Sequence, residues 1–283
     1  MNHKTLIGVD LGGTNVRSGL VNGQDIIKID SDRISSKSEE KTVIDQVINS
    51  ISKVINPEVA AIGIGVPGIL DTKEGIVYDV QNIPSWKAVP LRSILEHHFQ
   101  VPVFMNNDAN CFAAGESQYG KGKGKNNLTG LILGTGVAAG LLCDGHLYEG
   151  RNCGAGEFGM IPYLDHNYEF YCSGRFFSHF HQSSGEEVSK RAAAGDPAAL
   201  QIFQEYGKHL SWLIKTILYA VDPEMIVLGG SVSKSFPFFE ATLWAELQDF
   251  PYQPVVKNIQ ITASEIDHIP ILGAAALYFN QKT

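Results

Sequence analysis

Two short stretches decide the fold prediction: Asp10-Leu11-Gly12-Gly13-Thr14 near the N-terminus, and Leu133-Gly134-Thr135-Gly136 near the middle of the chain. Each glycine turn separates two apolar runs of strand length. Turn residues between apolar runs of this kind are typical of β-hairpins. Both halves of the chain therefore open with strand, glycine turn and strand, although no sequence identity supports an internal repeat.

Outside these hairpins, predicted strands alternate with predicted helices. The apolar pattern predicts strands at roughly 5–10, 15–21, 25–30, 59–64, 101–105, 128–133, 137–142, 225–228 and 258–262. It predicts helices at 39–56, 109–119, 197–221 and 235–248, with a last helix after Pro270. An alternation of strands and helices indicates an α/β fold.

The chain length indicates two domains. The chain has 283 residues, whereas single domains most often have about 100–150. The polar, glycine-rich stretch Lys121-Gly122-Lys123-Gly124-Lys125 is the best linker candidate. We expect a smaller N-terminal domain formed by 1–120 together with 270–283, and a larger C-terminal domain formed by 121–269.

Composition excludes several classes of function. A net charge of −8 argues against a nucleic-acid partner, because the phosphates would be repelled. No segment approaches the roughly 18 consecutive apolar residues of a membrane span, and the N-terminus lacks the pattern of a signal peptide. The four cysteines form no CxxC pair, which favours reduced thiols in a cytoplasmic protein.

Three glycine-rich patterns compete as a phosphate-binding site. The stretch 115–121 fits GxxxxGK, but Gly122 stands where a P-loop needs Ser or Thr, and the stretch follows a predicted helix. The stretch 63–68 fits GxGxxG, but a turn and a strand follow it in place of a helix. The two hairpin turns are the third pattern. Their backbone N–H groups, with the hydroxyls of Thr14 and Thr135, suit the phosphates of one nucleotide.

Six motifs in sequence resemble the ROK (repressor, open reading frame, kinase) family. They are Asp10-Leu-Gly-Gly-Thr14, Gly63-Ile-Gly-Val-Pro-Gly68, Asn107-Asp108-Ala109-Asn110, Leu133-Gly-Thr-Gly136, Gly154-Ala-Gly-Glu-Phe-Gly159 and Leu228-Gly-Gly230. The resemblance implies an actin-like ATPase (ribonuclease H-like) fold, with two α/β domains around a central cleft. It also implies an ATP-dependent sugar kinase that uses Mg²⁺ with its ATP, and a homodimer.

The resemblance assigns a role to each matching residue. Asp108 would be the catalytic base. The residues implied to bind the sugar are Gly68, Asn107, Asp108, Glu157 and Glu169. For ATP, Asp10 is implied to orient the magnesium-bound phosphate. The residues implied to lie around the phosphates are Gly12, Gly13, Thr14, Asn15, Gly134, Thr135 and Gly136. Gly229 and Gly230 are implied to lie against the adenosine.

The sequence departs from the family pattern after residue 159. Family members usually have a histidine next, followed by a cysteine-rich stretch, and together these bind a structural zinc. Here the position is Met160, and 162–168 contains no cysteine, so we expect no zinc site. His179 and His181 are spaced by two, which is poor geometry for rebuilding a metal site with His166, Cys153 or Cys172. Met160 cannot donate a hydrogen bond, so the identity of the sugar stays open.

Asp108 has two interpretations. It follows a predicted strand and opens a predicted helix, where an aspartate commonly serves as an N-cap. Phosphoryl transfer to a hydroxyl also needs a proton acceptor, which a carboxylate supplies. The catalytic interpretation predicts an ATP-dependent kinase for glucose or a close relative.

Other functions stay open from the sequence. An N-acetylmannosamine kinase or a fructokinase of the same family is one alternative, and a non-catalytic sugar-binding or regulatory protein is another. The family's repressors carry a DNA-binding helix-turn-helix before the first hairpin, whereas only four residues precede the first predicted strand here.

Overall fold

The computed structural model describes residues 4–280. In the first half of the chain the elements are β1 (Thr5–Leu11), β2 (Asn15–Asn22), β3 (Asp25–Arg33), α1 (Glu40–Val54), β4 (Val59–Val66), β5 (Ile69–Asp71), β6 (Ile76–Tyr78), β7 (Ala88–Val89), α2 (Leu91–Phe99), β8 (Val103–Asn107) and α3 (Asp108–Tyr119). The next are β9 (Leu128–Leu133), β10 (Val137–Cys143), β11 (His146–Leu147), β12 (Pro162–Tyr163), β13 (His166–Asn167), α4 (Tyr168–Cys172), α5 (Gly174–Phe180) and α6 (Gly185–Ala193). The last are α7 (Pro197–Val221), β14 (Met225–Gly229), α8 (Phe236–Leu247), α9 (Gln253–Asn258), β15 (Gln260–Ala263) and α10 (Ile269–Ala276), and short 3-10 turns occupy Phe158–Met160, Val232–Ser235 and Leu277–Phe279.

The chain packs as two compact units. Within the described residues, the first unit comprises 4–123, 146–155 and 266–280, and the second comprises 124–145 and 156–265. The segment 146–155 packs in the first unit, whereas the predicted boundaries assign it to the C-terminal domain, 121–269. The predicted domain boundaries themselves stay a prediction.

The first unit is built on a sheet with the strand order β3-β2-β1-β4-β8. Strands β1, β2 and β3 are antiparallel, as the two predicted turns require, and β1, β4 and β8 are parallel. Helix α1 buries the apolar face predicted from its periodicity, with Val43, Val47 and Ile51 fully buried. The predicted amphipathic helix is thus confirmed, and it packs over the antiparallel hairpins.

Glycines let helix α10 approach this sheet directly. A Cβ atom on Gly8 would lie 1.9 Å from the carbonyl oxygen of Ile271, and one on Gly63 would lie 1.8 Å from that of Ala274. No side chain fits in so short a distance, so both strands need glycine where the helix crosses them. The glycines of the GxGxxG stretch therefore include one that serves helix–sheet packing.

The second unit contains a sheet of mixed direction, in which β10, β9, β14 and β15 are neighbours in that order. Strands β9 and β10 are antiparallel, and β9, β14 and β15 are parallel. Helix α7 packs against α8 and buries Phe203, Leu210 and Ile214. The second predicted hairpin is confirmed by this arrangement.

Several elements were not predicted from the sequence. These are the helices α2, α4, α5, α6 and α9 and the short strands β5, β7, β11, β12 and β13; a turn and a single strand were predicted where β5 and β6 lie. All but α2, α5 and α6 are shorter than seven residues, so their periodic signal is weak. No helix within residues 4–280 combines the length and the apolar character needed to span a membrane.

Candidate active site

The ends of three parallel strands carry the first group of predicted site residues. Asp10 of β1 pairs in register with Gly65 of β4, and Gly65 pairs with Asn106 of β8. Gly68 lies in the turn after β4 with a positive φ of 91°, and Asn107 ends β8. The carboxyl ends of parallel strands are the usual place for ligand sites in α/β folds.

Asn107 caps helix α3. Its Oδ1 atom accepts a hydrogen bond from the backbone N–H of Asn110 at 2.7 Å, and its backbone is extended, as an N-cap requires. The Asp108 carboxylate accepts a partly buried hydrogen bond from the Ala109 N–H at 2.9 Å, and the residue as a whole is exposed. The N-cap interpretation of Asp108 is therefore wrong, because the preceding residue performs that role.

The environment of Asp108 raises its proton affinity. Desolvation by the surrounding protein raises the pKa of this carboxyl above its ordinary value, although the hydrogen bond from Ala109 opposes the effect. The negative charge of Asp10 raises the pKa further. Desolvation also raises the pKa of Asp10, while the guanidinium of Arg17, 3.0 Å away, lowers it. A carboxylate with a raised pKa is a stronger base.

The predicted sugar ligand Asn107 already has protein partners at both ends of its amide. Besides the cap, its Nδ2 atom donates a hydrogen bond to the carbonyl oxygen of Cys153 at 3.2 Å. Only 6% of Asn107 is exposed. One N–H of the amide is not used in these two bonds, so a role toward a sugar hydroxyl stays a prediction.

The first glycine turn presents backbone and short polar side chains to solvent. The Gly12 N–H donates to the carbonyl oxygen of Asn15 at 2.9 Å, which closes the turn between β1 and β2. Thr14 and Asn15 are exposed. A Cβ atom on Gly13 would lie 2.4 Å from the Cβ atom of Asn82, so this position has no room for a side chain.

The second glycine turn has open space in front of its backbone. The Gly134 N–H donates to the carbonyl oxygen of Gly136 at 3.0 Å, and the Gly134 carbonyl accepts from the Gly174 N–H at 2.7 Å. A Cβ atom on Gly134 would meet no other atom within 4 Å, and Thr135 is exposed. The turn therefore leaves room for a ligand to approach the backbone.

A cavity of about 780 Å³ lies beside this turn. Glycine, hydroxyl and basic side chains contribute to its lining, among them Gly134, Thr135, Arg175, Lys190, Ser231 and Lys234. Small-molecule sites generally have volumes of about 300–1,000 Å³. The cavity is therefore large enough for a nucleotide. Of its basic side chains, Lys190 pairs with Glu186 at 2.6 Å and Arg175 pairs with Glu169 at 3.1 Å.

The glycines predicted to bind adenosine end strand β14. Gly229 is its last residue, and Gly230 follows with a φ of 84°. A Cβ atom on Gly230 would lie 2.4 Å from the carbonyl oxygen of Leu133, the last residue of β9. Gly230 thus lets β14 end close to the second glycine turn, and the adjacent Ser231 lines the cavity.

Glu157 and Met160 lie on a short segment anchored to β10. Glu157 is exposed at the start of the 3-10 turn, and 60% of Met160 is exposed. A Cβ atom on Gly156 would lie 1.9 Å from the carbonyl oxygen of Ala139, and one on Gly159 would lie 2.4 Å from that of Val137. The glycines of this motif therefore let the segment carrying Glu157 pack directly against the strand.

Glu169 lies beside the second glycine turn. Its Oε2 atom accepts a hydrogen bond from the Val137 N–H at 3.3 Å, and its Oε1 atom pairs with Arg175 at 3.1 Å. A Cβ atom on Gly136 would lie 2.6 Å from that Oε2 atom. The carboxylate thus supports the second glycine turn within its own unit, a contact that the sequence did not indicate. Its predicted role as a sugar ligand stays a prediction.

The histidines between residues 160 and 182 pack against aromatic rings. His166 stacks on Phe170 with ring centroids 4.2 Å apart, and His179 meets Phe170 edge-on at 5.2 Å. His181 pairs with Glu205 at 3.5 Å. Among residues 4–280, no three His, Cys, Asp or Glu side chains are grouped as a metal site requires.

Some residues around the site were not predicted. Glu149 and Asn106 are joined by a hydrogen bond of 2.6 Å, directly beside the predicted catalytic segment. Cys153 adopts a positive φ of 57°, and Arg175 lines the cavity. Arg175 directly follows Ser173-Gly174, six residues after Glu169, which the family resemblance implies to bind sugar; that position could have drawn attention to it. For Glu149, a lone carboxylate in a loop, the sequence contains no such signal.

Comparison with known proteins identifies the family. The model of the ROK family matches residues 6–281. The chain is 29% identical to a glucokinase of Thermotoga maritima, over 96% of each chain. It is 27% identical to a xylose repressor of Bacillus spizizenii, over 96% of this chain and 76% of that protein.

The fold comparison agrees with the sequence comparison. The crystal structure of a ROK family glucokinase from Streptomyces griseus, in complex with glucose and AMPPNP, superposes with a TM-score of 0.81 at 26% identity. The match covers 96% of this chain and 98% of that one. The chain therefore has the predicted actin-like ATPase fold of sugar kinases, and it belongs to the ROK family.

Proposed function

We propose that this protein is an ATP-dependent hexose kinase in which Asp108 removes the proton from the hydroxyl that is phosphorylated. The observation that carries the proposal is the state of Asp108 at the start of α3. Asp108 is an exposed residue, Asn107 and not Asp108 caps the helix, and partial desolvation of the Asp108 carboxyl by the surrounding protein raises its pKa. A general base needs an accessible carboxylate with increased proton affinity.

The second glycine turn and its cavity suit the phosphoryl donor. The open space in front of Gly134 and the hydroxyl of Thr135 fit the approach of a phosphate, and Lys234 lies on the cavity wall. Lys190 also lines the cavity, where it pairs with Glu186 at 2.6 Å. Gly230 keeps the end of β14 close to this turn. We infer that ATP binds here through its phosphates and that Gly229 and Gly230 lie against its adenosine.

Magnesium bound with ATP would neutralise phosphate charge, and the residues of the first turn are suited to that complex. Asp10 supplies carboxylate oxygens, the ligand type that Mg²⁺ prefers, directly or through water. Gly12, Gly13, Thr14 and Asn15 supply backbone N–H groups and short polar side chains in an exposed turn. We infer that this turn binds the magnesium-bound phosphate.

For the acceptor, we infer that Asn107, Glu157 and Glu169 bind hydroxyl groups of the sugar and that Gly68 lets the backbone approach the sugar ring. Glucose is the first candidate, because the glucokinase of Streptomyces griseus binds it and the chain is similar to a second glucokinase. Met160 offers no hydrogen-bond donor, so the sugar specificity is expected to differ from that of members with a histidine there. A homodimer and a cytoplasmic location stay predictions.

A sugar panel tests the function. ADP release is coupled to NADH oxidation with glucose, mannose, fructose, N-acetylglucosamine and N-acetylmannosamine, each with Mg-ATP. We expect saturable turnover with at least one hexose and none after chelation of magnesium. Sugar binding without ADP release from any sugar would favour a regulator, a function known for the xylose repressor to which the chain is similar.

A further inference from the structure

The Glu149 side chain lies where three segments of the first unit meet. Its Oε1 atom accepts a hydrogen bond from Asn106 Nδ2 at 2.6 Å, and its Oε2 atom accepts one from Thr72 Oγ1 at 2.9 Å. Its backbone carbonyl accepts from the Ala155 N–H at 3.2 Å. Thr72 directly follows β5, and Asn106 lies in β8. One carboxylate therefore ties the segment 146–155 to two parts of the first unit.

Asn106, which Glu149 holds in place, in turn binds the residues on both sides of Asp108. Its Oδ1 atom accepts hydrogen bonds from the Asn107 N–H at 2.9 Å and from Asn110 Nδ2 at 2.8 Å. The Cys153 thiol, whose pKa burial raises to about 11, donates a third bond to the same oxygen at 3.0 Å. Asn107 and Asn110 lie on either side of Asp108 and its neighbour, so Asn106 holds both ends of this segment.

Glu149 fixes which way the Asn106 amide points. The side chain of Asn106 is 2% exposed, and its oxygen faces three donors while its nitrogen faces a carboxylate. A flipped amide would place N–H groups against those donors and its oxygen against the negative charge of Glu149. Buried polar groups left without partners are costly, so a single orientation is strongly favoured.

We propose that Glu149 is a positioning residue for the general base. By fixing the Asn106 amide it holds the backbone from Asn107 to Asn110, on which Asp108 is carried. The inference rests on the proposed kinase function for its kinetic consequence. Displacement of a catalytic group by about 1 Å costs about 10²-fold in rate. Loss of Glu149 is therefore expected to lower kcat and to leave the KM for ATP unchanged.

A cavity beside Glu149 allows this residue to be replaced without unfolding the protein. Asn106 and Glu149 both line a cavity of about 850 Å³ in the first unit, together with Arg92 and Arg151. When the Glu149 carboxylate is removed, water can enter from this cavity and accept the hydrogen bond from Asn106 Nδ2. The chain is then expected to fold, but with an amide that water orients less firmly than a carboxylate does.

The experiment compares Glu149→Ala with Glu149→Gln in the full-length protein. The glutamine keeps an oxygen for Asn106 and offers N–H groups to the Thr72 hydroxyl, so it is expected to restore most of the activity. For Glu149→Ala we expect kcat to fall by about 10- to 100-fold with an unchanged KM for ATP. Glu74→Ala, an exposed carboxylate beside the same β5–β6 turn, is the matched control and is expected to behave as wild type.

Amide hydrogen exchange gives a second reading that needs no kinase activity. Peptides spanning 106–112 are expected to exchange faster in Glu149→Ala than in wild type, and near the wild-type rate in Glu149→Gln. Wild-type kcat in Glu149→Ala, or equal impairment of the alanine and glutamine variants, would overturn the proposal. If Glu149→Ala does not fold, Glu149→Asp replaces it. Its shorter side chain cannot reach both partners, and full activity there would equally overturn the proposal.

The exchange measurement also separates this inference from the kinase proposal. A wild-type protein that phosphorylates no sugar refutes the kinase function but not the constraint on 106–112. Unchanged exchange of these peptides in Glu149→Ala refutes the constraint, whatever the wild-type activity.

Discussion

Replacing Asp108 with asparagine separates its proposed chemical role from any role in folding. Asn107 continues to cap α3, and an asparagine at 108 keeps an oxygen that can accept the Ala109 N–H. An amide, however, takes up no proton from a sugar hydroxyl. Loss of a general base lowers rates by about 10²–10⁴-fold, which corresponds to about 3–5 kcal/mol of activation free energy.

The same substitution is expected to preserve or raise stability. Desolvation raises the pKa of Asp108 in the folded state, so folding favours the protonated carboxyl. This group therefore stabilises the fold fully at pH values below its unfolded-state pKa, and the stabilisation is lost as pH rises through its folded-state pKa. At pH 7 the folded protein therefore carries a charge that its surroundings disfavour. Asparagine resembles the protonated form, so Tm at pH 7 is expected to equal or exceed that of wild type.

The assay measures kcat and the sugar KM by coupled ADP release, and Tm by calorimetry. Asp45→Asn, which removes an exposed carboxylate from α1, is the matched control and should alter none of these quantities. Three results together support the reasoning: low kcat, retained sugar binding and unreduced Tm. Turnover within about threefold of wild type would refute the assignment of Asp108 as base, and a large fall in Tm would refute the account of its environment.

Three further outcomes are expected. The acid limb of kcat/KM should lie above the ordinary aspartate pKa of 3.8, because Asp108 must be ionised to act and its pKa is raised; a pH–rate profile with its midpoint at or below that value contradicts this. Gly63→Ala should destabilise the protein by about 1–3 kcal/mol or more, because its Cβ would lie 1.8 Å from the carbonyl oxygen of Ala274. Urea unfolding measures the loss, with Gly154→Ala, which meets no atom within 4 Å, as the near-neutral control. Gly134→Ala should leave Tm unchanged but raise the KM for ATP by about tenfold, which corresponds to about 1.4 kcal/mol of binding free energy. The reason is that the added methyl group enters space that we assign to phosphate. An unchanged KM for ATP would count against that phosphate site.

Much of the fold follows from local features of the sequence. The hairpins around Gly12-Gly13 and Gly134-Thr135-Gly136, and the face that α1 buries, depend on turn chemistry and on the period of apolar residues. Both are properties of contiguous residues. The same locality explains the misses, since short helices such as α4 and α9 contain too few turns to show a period.

The sequence by itself determined the order of strands, glycine turns and helices, the match to the ROK family, and the choice of Asp108 as candidate base. Only the tertiary structure decided which residue caps α3, why Gly8 and Gly63 must lack side chains, and that Glu149 holds Asn106 from 43 positions away. The physical reason is the distance along the chain over which each interaction acts. Periodicity and turn preference act between neighbours in the chain, whereas packing of α10 on the sheet and orientation of a buried amide depend on residues that only folding brings together.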